Sequence, residues 1–470
     1  LMKATIGEAI GINGGSEEID LLTRRIDALN KRMLDLVNET VAAGKDVESS
    51  EDEFKGISDQ IEQLNRRIAA IQESIHKDGS RQARLEEIQS IIAKRGAQIS
   101  VLVAVIAVVV HVGIIMAAVP AGTGSAAGRT AALAAVGGGQ AVEQAVENAR
   151  CQIGLEIDTI EASGKVLNPV TLNENEQVYY CGFSDWRSGF FPGSVWYLYE
   201  LTDDNTLLSV AQKYTEALDE AKKLTWHHDI GFIVNCSYGN GLRLSGKAEY
   251  KDVMIEAANS LCTRFREKPG TIQSWNVSGN SWQAQRGWEC PVIIDNMMNL
   301  ELLFEATKLS GDSTYYKIAV AHADRTLKEQ FRPDGSCYHV IDYSLSDGSV
   351  RHRHTAQGYS HESVWSRGQA WAIYGFTMCY RYTGDKKYLQ QAIKTFNFMK
   401  NHKKMPEDLV PYWDMEAPKI PDEPRDVSSA AVIASALYEI CTLGVPEAIS
   451  YEEYADHIMA SLASERYTAR

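Results

Sequence analysis

The chain has 470 residues, 44% hydrophobic and 23% charged, a composition that supports a large buried core and more than one domain. A formal net charge of −15 argues against a nucleic-acid partner, so an acidic ligand would have to be met by locally gathered cations. The eight cysteines are scattered and form no CxxC pair, which excludes zinc ribbons and thioredoxin chemistry; with no signal peptide read at the start, they predict buried thiols in a cytoplasmic protein.

Residues 1–97 are charged and nearly free of aromatics. Ile19, Leu22, Ile26, Leu29, Met33 and Leu36 repeat at spacings of three and four, as do Phe54, Ile57, Ile61, Leu64, Ile68, Ile71 and Ile75. These are two heptad seams, and the polar run "AGKDVESSEDE" between them predicts an antiparallel helical coiled-coil hairpin suited to self-association. Its sequence over residues 16–95 resembles the coiled-coil tail of large serine recombinases. Their catalytic domain has no counterpart here, so no recombination activity is carried over. Residues 98–120 follow as an apolar segment. Within it "ISVLVAVIAVVVHVGIIMAAV" (99–119) is long enough to cross a hydrocarbon core and predicts either a membrane tether or a junction between two fused pieces. Residues 121–140 are Gly/Ala-rich and read as a linker.

Residues 141–470 hold all nine tryptophans. Here "LTDDNTLLSVA", "LSGDSTYYKIA" and "YTGDKKYLQQA" share Asp-x-x-(Leu/Tyr)-x-x-x-Ala, with Asp204, Asp312 and Asp385 in the first position. Asp is a good N-cap, and the apolar and Ala positions then face a neighbouring helix. "GKAEYKDVMIEAA" and "SYEEYADHIMASL" are weaker copies. The expected unit is helix, short turn, helix, repeated five or six times into a solenoid or a closed toroid, with few strands.

Four stretches carry candidate chemistry. In "WHHDIGF", Asp229 follows His227 and His228. Adjacent residues point apart, whereas metal ligands favour i, i+4 or HxH spacing, so no metal and no cofactor is expected, and Asp229 reads as a catalytic or a structural carboxylate. Asp295 lies in "CPVIIDNMMNLELLFEA", expected to be an apolar helix that desolvates the carboxyl and raises its pKa, as a general acid needs; a core-network Asp is the plainer reading. "YSHESVWSRGQAWAIYGF" sets Arg367 between Trp365 and Trp371, a carboxylate fork between flat apolar faces, or a core helix with a buried ion pair. "FSDWRSGFFPGSVW" places Asp185 and Trp186 before a helix, and His339 in "GSCYHV" is a lone histidine of the kind that is usually structural. Two carboxylates, an arginine and many aromatics on an all-α domain point to an enzyme acting on an acidic sugar.

"DWRSGFFPG", "HHDIGF", "VIIDNMMNL", "GSCYH", "WSRGQAWAIYGF" and "PYWDMEAPKIPDEPRDVSSAAVIASAL" occur in this order, and together they resemble the unsaturated glucuronyl hydrolases of glycoside hydrolase family 88 over residues 141–467. The resemblance implies an (α/α)6 barrel acting on oligosaccharides, glycosaminoglycan fragments among them, with a 4,5-unsaturated uronic acid at the non-reducing end. It implies Asp295 as general acid/base and Asp229 as the second essential carboxylate. Trp186, His228, His339, Gln357, Trp365, Arg367 and Trp371 match substrate-contacting positions. The related unsaturated rhamnogalacturonyl hydrolases tend to read Trp-x-Arg-Gly-Asn-Gly-Trp where this chain has Trp-Ser-Arg-Gly-Gln-Ala-Trp, which favours the glucuronyl group. Family members run past the point matching Arg470 with a further loop and helix, so the barrel is expected to be C-terminally incomplete. The alternative expectation is an inactive fusion serving as a coiled-coil or membrane-associated interaction protein.

Overall fold

The computed structural model describes residues 139–172, 178–443, 445 and 447–467. The expected coiled-coil hairpin and the apolar run at 99–119 lie outside the described residues. No described helix is long and apolar enough to cross a membrane.

Helix α1 (Gly139–Ala162) and a β1–β2 hairpin (Asn168–Leu172, Val178–Cys181) precede a series of helical pairs. The first pair is α2 (Phe190–Thr202) and α3 (Asn205–Glu216). In the second, α4 (Ile230–Val234) runs through a π turn into α5 (Asn240–Ser245), and α6 (Glu249–Cys262) lies outside it. Strands β3 (Phe265–Arg266) and β4 (Thr271–Ile272), the single turn α7 (Trp282–Gln285), and strand β5 (Cys290–Ile293) then lead to a 3₁₀ segment, Ile294–Asn299. Helices α8 (Leu300–Ser310) and α9 (Ser313–Glu329) form the third pair, and strands β6 (Val340–Tyr343) and β7 (Val350–His354) follow. The last pairs are α10 (Ser366–Thr383) with α11 (Lys386–Lys400), and α12 (Val427–Cys441) with α13 (Ala448–Leu462).

The repeat in the sequence accounts for this alternation. Asp204, Asp312 and Asp385 cap α3, α9 and α11, each accepting the backbone N–H two residues on. The Leu/Tyr and Ala positions behind them (Leu207 and Ala211, Tyr315 and Ala319, Tyr388 and Ala392) are all buried. These outer helices are apolar on one face only. Their inner partners α2, α10 and α12 are buried on nearly every face, as the layer lining a barrel must be.

The architecture is an all-α barrel of the (α/α)6 type. Ion pairs join the C-terminal ends of neighbouring inner helices, Arg243 of α5 to Glu200 of α2 at 2.6 Å and Arg381 of α10 to Glu439 of α12 at 2.7 Å, and Arg381 also reaches Glu301 in the first turn of α8 at 2.8 Å. Within the α2–α5 and α10–α12 neighbours the inner helices therefore run parallel, with their N-terminal ends at the opposite rim.

The stretch around Asp295 departs from the sequence expectation. It is not the interior of an apolar helix. Cys290–Ile293 is the first strand of a three-stranded antiparallel sheet, β5-β6-β7, and Asp295 sits in the tight turn behind it. The run is apolar because the strand is covered on both faces, a pattern that a short apolar run shares with a buried helix.

Candidate active site

All the candidate side chains come from N-terminal ends of inner helices or from the loops beside them. Trp186 precedes α2, Asp229 is the N-cap residue of α4, and Asp295 opens the turn before α8. Trp365 is the N-cap residue of α10, and Arg367 and Trp371 follow it. Several helix N-termini thus converge on one rim, and their dipoles favour a negative charge there.

The sheet sets the partner of Asp295. Ile293 pairs with Val340, and Ile294 N–H donates to His339 C=O at 3.0 Å, so Asp295 and His339 leave the sheet side by side. His339 Nε2 lies 3.6 Å from Asp295 Oδ2. On the other side of the ring, Nδ1 accepts the backbone N–H groups of Ala356 (3.1 Å) and Gln357 (3.2 Å). A neutral His339 therefore carries its proton on Nε2 and presents it to Asp295. Burial keeps that imidazole neutral, down to about 3.

Asp229 is held by a second set of contacts. His228 Nε2 is 3.2 Å from Asp229 Oδ1, and His227 Nδ1 is 3.7 Å from Oδ2. His228 Nδ1 donates to Ser274 C=O at 2.8 Å, while Ser274 Oγ accepts Ile293 N–H at 2.9 Å. Ser274 thus ties the Asp229 loop to the strand that carries Asp295. Packing finishes the approach. A Cβ on Gly231 would lie 2.6 Å from Asn299 Cα, so only glycine lets α4 rest on the Asp295 turn. Asn299 Oδ1 in turn accepts Phe232 N–H at 2.9 Å.

Burial raises both carboxyls. Asp229 is pushed up to about 6 by desolvation, opposed by His227, Asn299 and the buried Arg264. Asp295 is pushed up to about 7, first by desolvation and then by the negative charge of Asp229, with Arg367 and Trp371 pulling the other way. Two acids in one low-dielectric site do not both ionise readily, so one keeps its proton near neutrality while the other carries the charge.

Aromatic rings wall the site. Trp371 meets Phe232 edge to face at 5.4 Å, Phe232 meets Trp186 at 5.6 Å, and Trp365 lies 4.3 Å from the His339 ring. The buried indole N–H of Trp371 is turned to Asp295 and favours its charged form. Arg367 Nε is 3.5 Å from Asp426, the cap of α12, and its guanidinium sits over Trp365 at 5.5 Å.

All nine predicted residues collect at this rim, in different relations to it. His228 is fully buried (0%), so its ring meets Asp229 and Ser274 rather than open space. Gln357 is exposed at the edge. Four supporting residues escaped the sequence reading. Arg264 is 1% exposed and donates to Gln273 C=O, Thr225 C=O and Asn276. Gln369 accepts Cys337 N–H at 2.8 Å and so fixes the segment leading to His339. Ser274 and Asn299 complete the set. Only Asn299, one helical turn past Asp295, had a signal in its spacing. Among the described residues no group of three or more His, Cys, Asp or Glu is arranged to hold a metal. A cavity of about 990 Å³ beside Arg332, Asp334, Glu362 and Lys394 includes neither carboxylate of the site and mixes charges of both signs.

A family model described as Glycosyl Hydrolase Family 88 matches residues 166–469. An unsaturated glucuronyl hydrolase of Formosa agariphila is 48% identical over 293 residues, spanning 62% of this chain and 71% of that protein. An unsaturated chondroitin disaccharide hydrolase of Streptococcus agalactiae is 32% identical over 336 residues, 70% of this chain and 80% of that protein. Among solved structures, an unsaturated glucuronyl hydrolase specific for heparin superposes with a TM-score of 0.61 at 41% identity, covering 64% of this chain and 78% of its own. The matched region contains both carboxylates and the whole barrel described above; the N-terminal stretch likened to recombinase tails lies outside it.

Proposed function

This chain belongs to glycosyl hydrolase family 88, and from that premise we propose that it removes a 4,5-unsaturated uronic acid from the non-reducing end of glycosaminoglycan oligosaccharides, with Asp295 as the acid. The observation that carries the reading is the pairing of Asp295, raised to about 7, with Asp229, raised to about 6, at an aromatic-walled rim of helix N-termini. The helix dipoles and Arg367 supply the positive field for the uronate.

The chemistry follows from the bond attacked. The C4=C5 bond is a vinyl ether through the ring oxygen. Asp295 delivers its proton to C4, and the positive charge that develops at C5 is shared by the ring oxygen. The resulting carboxylate takes a proton from a water that adds to C5. The hemiketal so formed opens to a 5-keto acid. The hemiacetal left at C1 then collapses, releasing the remaining sugar, with one water consumed. No displacement occurs at the anomeric carbon, so the carboxylate-spacing rule for retention and inversion does not apply. Asp229 holds the ring hydroxyls and keeps the affinity of Asp295 for its proton high. His339 donates toward Asp295 once it is ionised.

The test is the loss of the ultraviolet absorbance of the conjugated C4=C5 acid on incubation with an unsaturated chondroitin disaccharide. Turnover by the wild type and none by Asp295→Asn is the expected result. Absence of turnover on every unsaturated uronyl disaccharide would overturn the reading. A rhamnogalacturonyl specificity is the second reading, favoured if only rhamnose-linked substrates react. Gln369 and Ala370, where that group tends to carry Asn and Gly, are both buried, with Gln369 spanning Cys337 and Trp365.

A further inference from the structure

A buried arginine stands behind the Asp229 loop with no ion pair of its own among the described residues. Arg264 follows the C-terminal end of α6 and is almost wholly buried. Its hydrogen-bond partners are all neutral. Nε donates to Gln273 C=O at 2.7 Å, and Nη1 donates to Thr225 C=O at 2.7 Å and to Asn276 Oδ1 at 3.1 Å. Nη2 is buried and has no partner among the described residues. A charge removed from water and left unpaired destabilises a fold, so an apolar side chain would serve a purely structural wall better.

The three bonds join two segments of the site. Thr225 lies four residues before Asp229, on the segment that carries it. Gln273 directly precedes Ser274, whose C=O accepts the His228 Nδ1 proton and whose Oγ accepts Ile293 N–H. His227 and Trp275 bridge the same two segments. Gln273 N–H also returns to Arg264 C=O at 3.0 Å, which closes the β3–β4 hairpin onto the arginine's own backbone. A planar fork reaches both segments at once, which a single ammonium does not.

We propose that Arg264 is a positioning residue for Asp229, a role that rests on the function proposed above: its fork fixes the loop of Asp229, and its unpaired positive charge keeps Asp229 the ionised member of the acid pair.

The surrounding groups leave this task to Arg264. Burial and the neighbouring Arg266 pull Arg264 down only to about 10, so it is a cation at working pH, and Asp229 acts against that pull. Desolvation pushes Asp229 up, and Arg264 is among the groups that draw it back. Burial holds His227 neutral down to about 4 and His228 down to about 3, so neither ring carries a full charge near neutrality. Asp185, which faces Asp229 from the loop before α2, is engaged by Arg187 at 2.9 Å. Arg266 turns to Gln273 Oε1 at 2.9 Å, burial pushes the Cys290 thiol up to about 12, and His322 stays neutral down to about 3. The remaining neighbour is Asp295, whose proton is held partly by the negative charge of Asp229. A cation that keeps Asp229 charged therefore keeps the proton on Asp295.

Arg264→Gln and Arg264→Lys, made in the full chain, test the proposal. On an unsaturated chondroitin disaccharide, Arg264→Gln should lose about tenfold or more in kcat, as for loss of a hydrogen bond to a charged group. The acidic limb of its kcat/KM profile, where Asp229 takes up a proton, should move to higher pH. Arg264→Lys keeps the charge without the fork, so kcat should fall while the limb stays at its wild-type pH. Wild-type kcat in Arg264→Gln, or a limb that moves in neither variant or equally in both, overturns the proposal.

A second arm needs no substrate. Without Arg264 the buried Asp229 ionises at higher pH and the fold loses more stability as pH rises. The gap in denaturant midpoint between wild type and Arg264→Gln should therefore widen from pH 5 to pH 8, and in an Asp229→Asn background it should stay constant. A gap independent of pH in both backgrounds overturns the proposal and leaves Arg264 a structural tie. If Arg264→Gln does not fold, adding Asp229→Asn should restore folding, and failure to restore it overturns the charge role. If the wild type turns over no unsaturated disaccharide, the function proposed above fails, and the midpoint arm still decides whether Arg264 sets the charge of Asp229.

Discussion

His228 Nε2 faces Asp229 Oδ1 at 3.2 Å while the other nitrogen of the same ring donates to Ser274 C=O at 2.8 Å. With Nδ1 committed to a carbonyl, a neutral imidazole can offer Asp229 only a lone pair. Burial pushes His228 down to about 3, so the ring does not take a second proton at working pH. His339 is wired the opposite way, with Nδ1 occupied by two amides and the Nε2 proton turned to Asp295. One carboxyl meets a bare nitrogen and the other an N–H, so His339 is placed to stabilise Asp295 once that acid has given up its proton.

His228→Asn should therefore lower kcat more than it raises KM and should displace the pH profile of kcat/KM. A pure sugar contact would instead raise KM and leave kcat and the profile in place. Steady-state kinetics across pH 5–8 separate the two.

Asp295→Asn should lower kcat by roughly 10³-fold with the fold intact by circular dichroism. Activity needs the protonated acid, so kcat/KM of the wild type should fall as pH rises through about 7.

Asp229→Asn removes the negative charge that helps raise Asp295. The residual activity should then show its alkaline limb at lower pH than the wild type. A limb that stays in place or moves upward would mean that Asp229 does not tune the acid.

The raised acid also has a stability signature. Asp295 has a folded pKa near 7 against about 3.9 unfolded, so the folded state binds more protons across that window. Its contribution is fully present below the unfolded value and is lost as pH rises through about 7. Asp295→Asn, which cannot ionise, should gain stability over the wild type between these limits, on the order of 2–4 kcal/mol by pH 8, with the difference closing near pH 4. Denaturant melts at the two pH values measure it.

Gly231→Ala puts a methyl 2.6 Å from Asn299 Cα, a backbone atom that cannot swing aside. A loss of about 1–3 kcal/mol in stability is expected. Because the same contact seats Asp229 against the Asp295 turn, kcat should fall as well. Gly375→Ala, whose methyl would meet Met297 Cβ at 2.5 Å, tests the turn from the α10 side and should destabilise it similarly.

Much of the barrel was legible along the chain. The capping aspartates 204, 312 and 385, each with an apolar residue three positions on and Ala four beyond it, mark the outer helices, because an N-cap and a helical stripe are local and need no partner to be read. Asp229 and Asp295 stood out for the same reason, as carboxylates set among apolar and aromatic neighbours. The strand before Asp295 was misread as helix, since a four-residue apolar run carries no period long enough to tell the two apart.

What the sequence by itself determined is the repeating helical pair and the chemical kinds of residue available at its ends: two acids, an arginine, histidines and tryptophans. Tertiary structure alone decided their relations. The register of β5 on β6 sets His339 beside Asp295. The glycine contact between residues 231 and 299 brings in Asp229 from 66 positions away. Burial then raises both acids, and three hydrogen bonds to residues distant in the chain choose which imidazole nitrogen each one meets. Proton affinity and tautomer depend on solvent exclusion and on long-range partners, which a linear pattern does not encode.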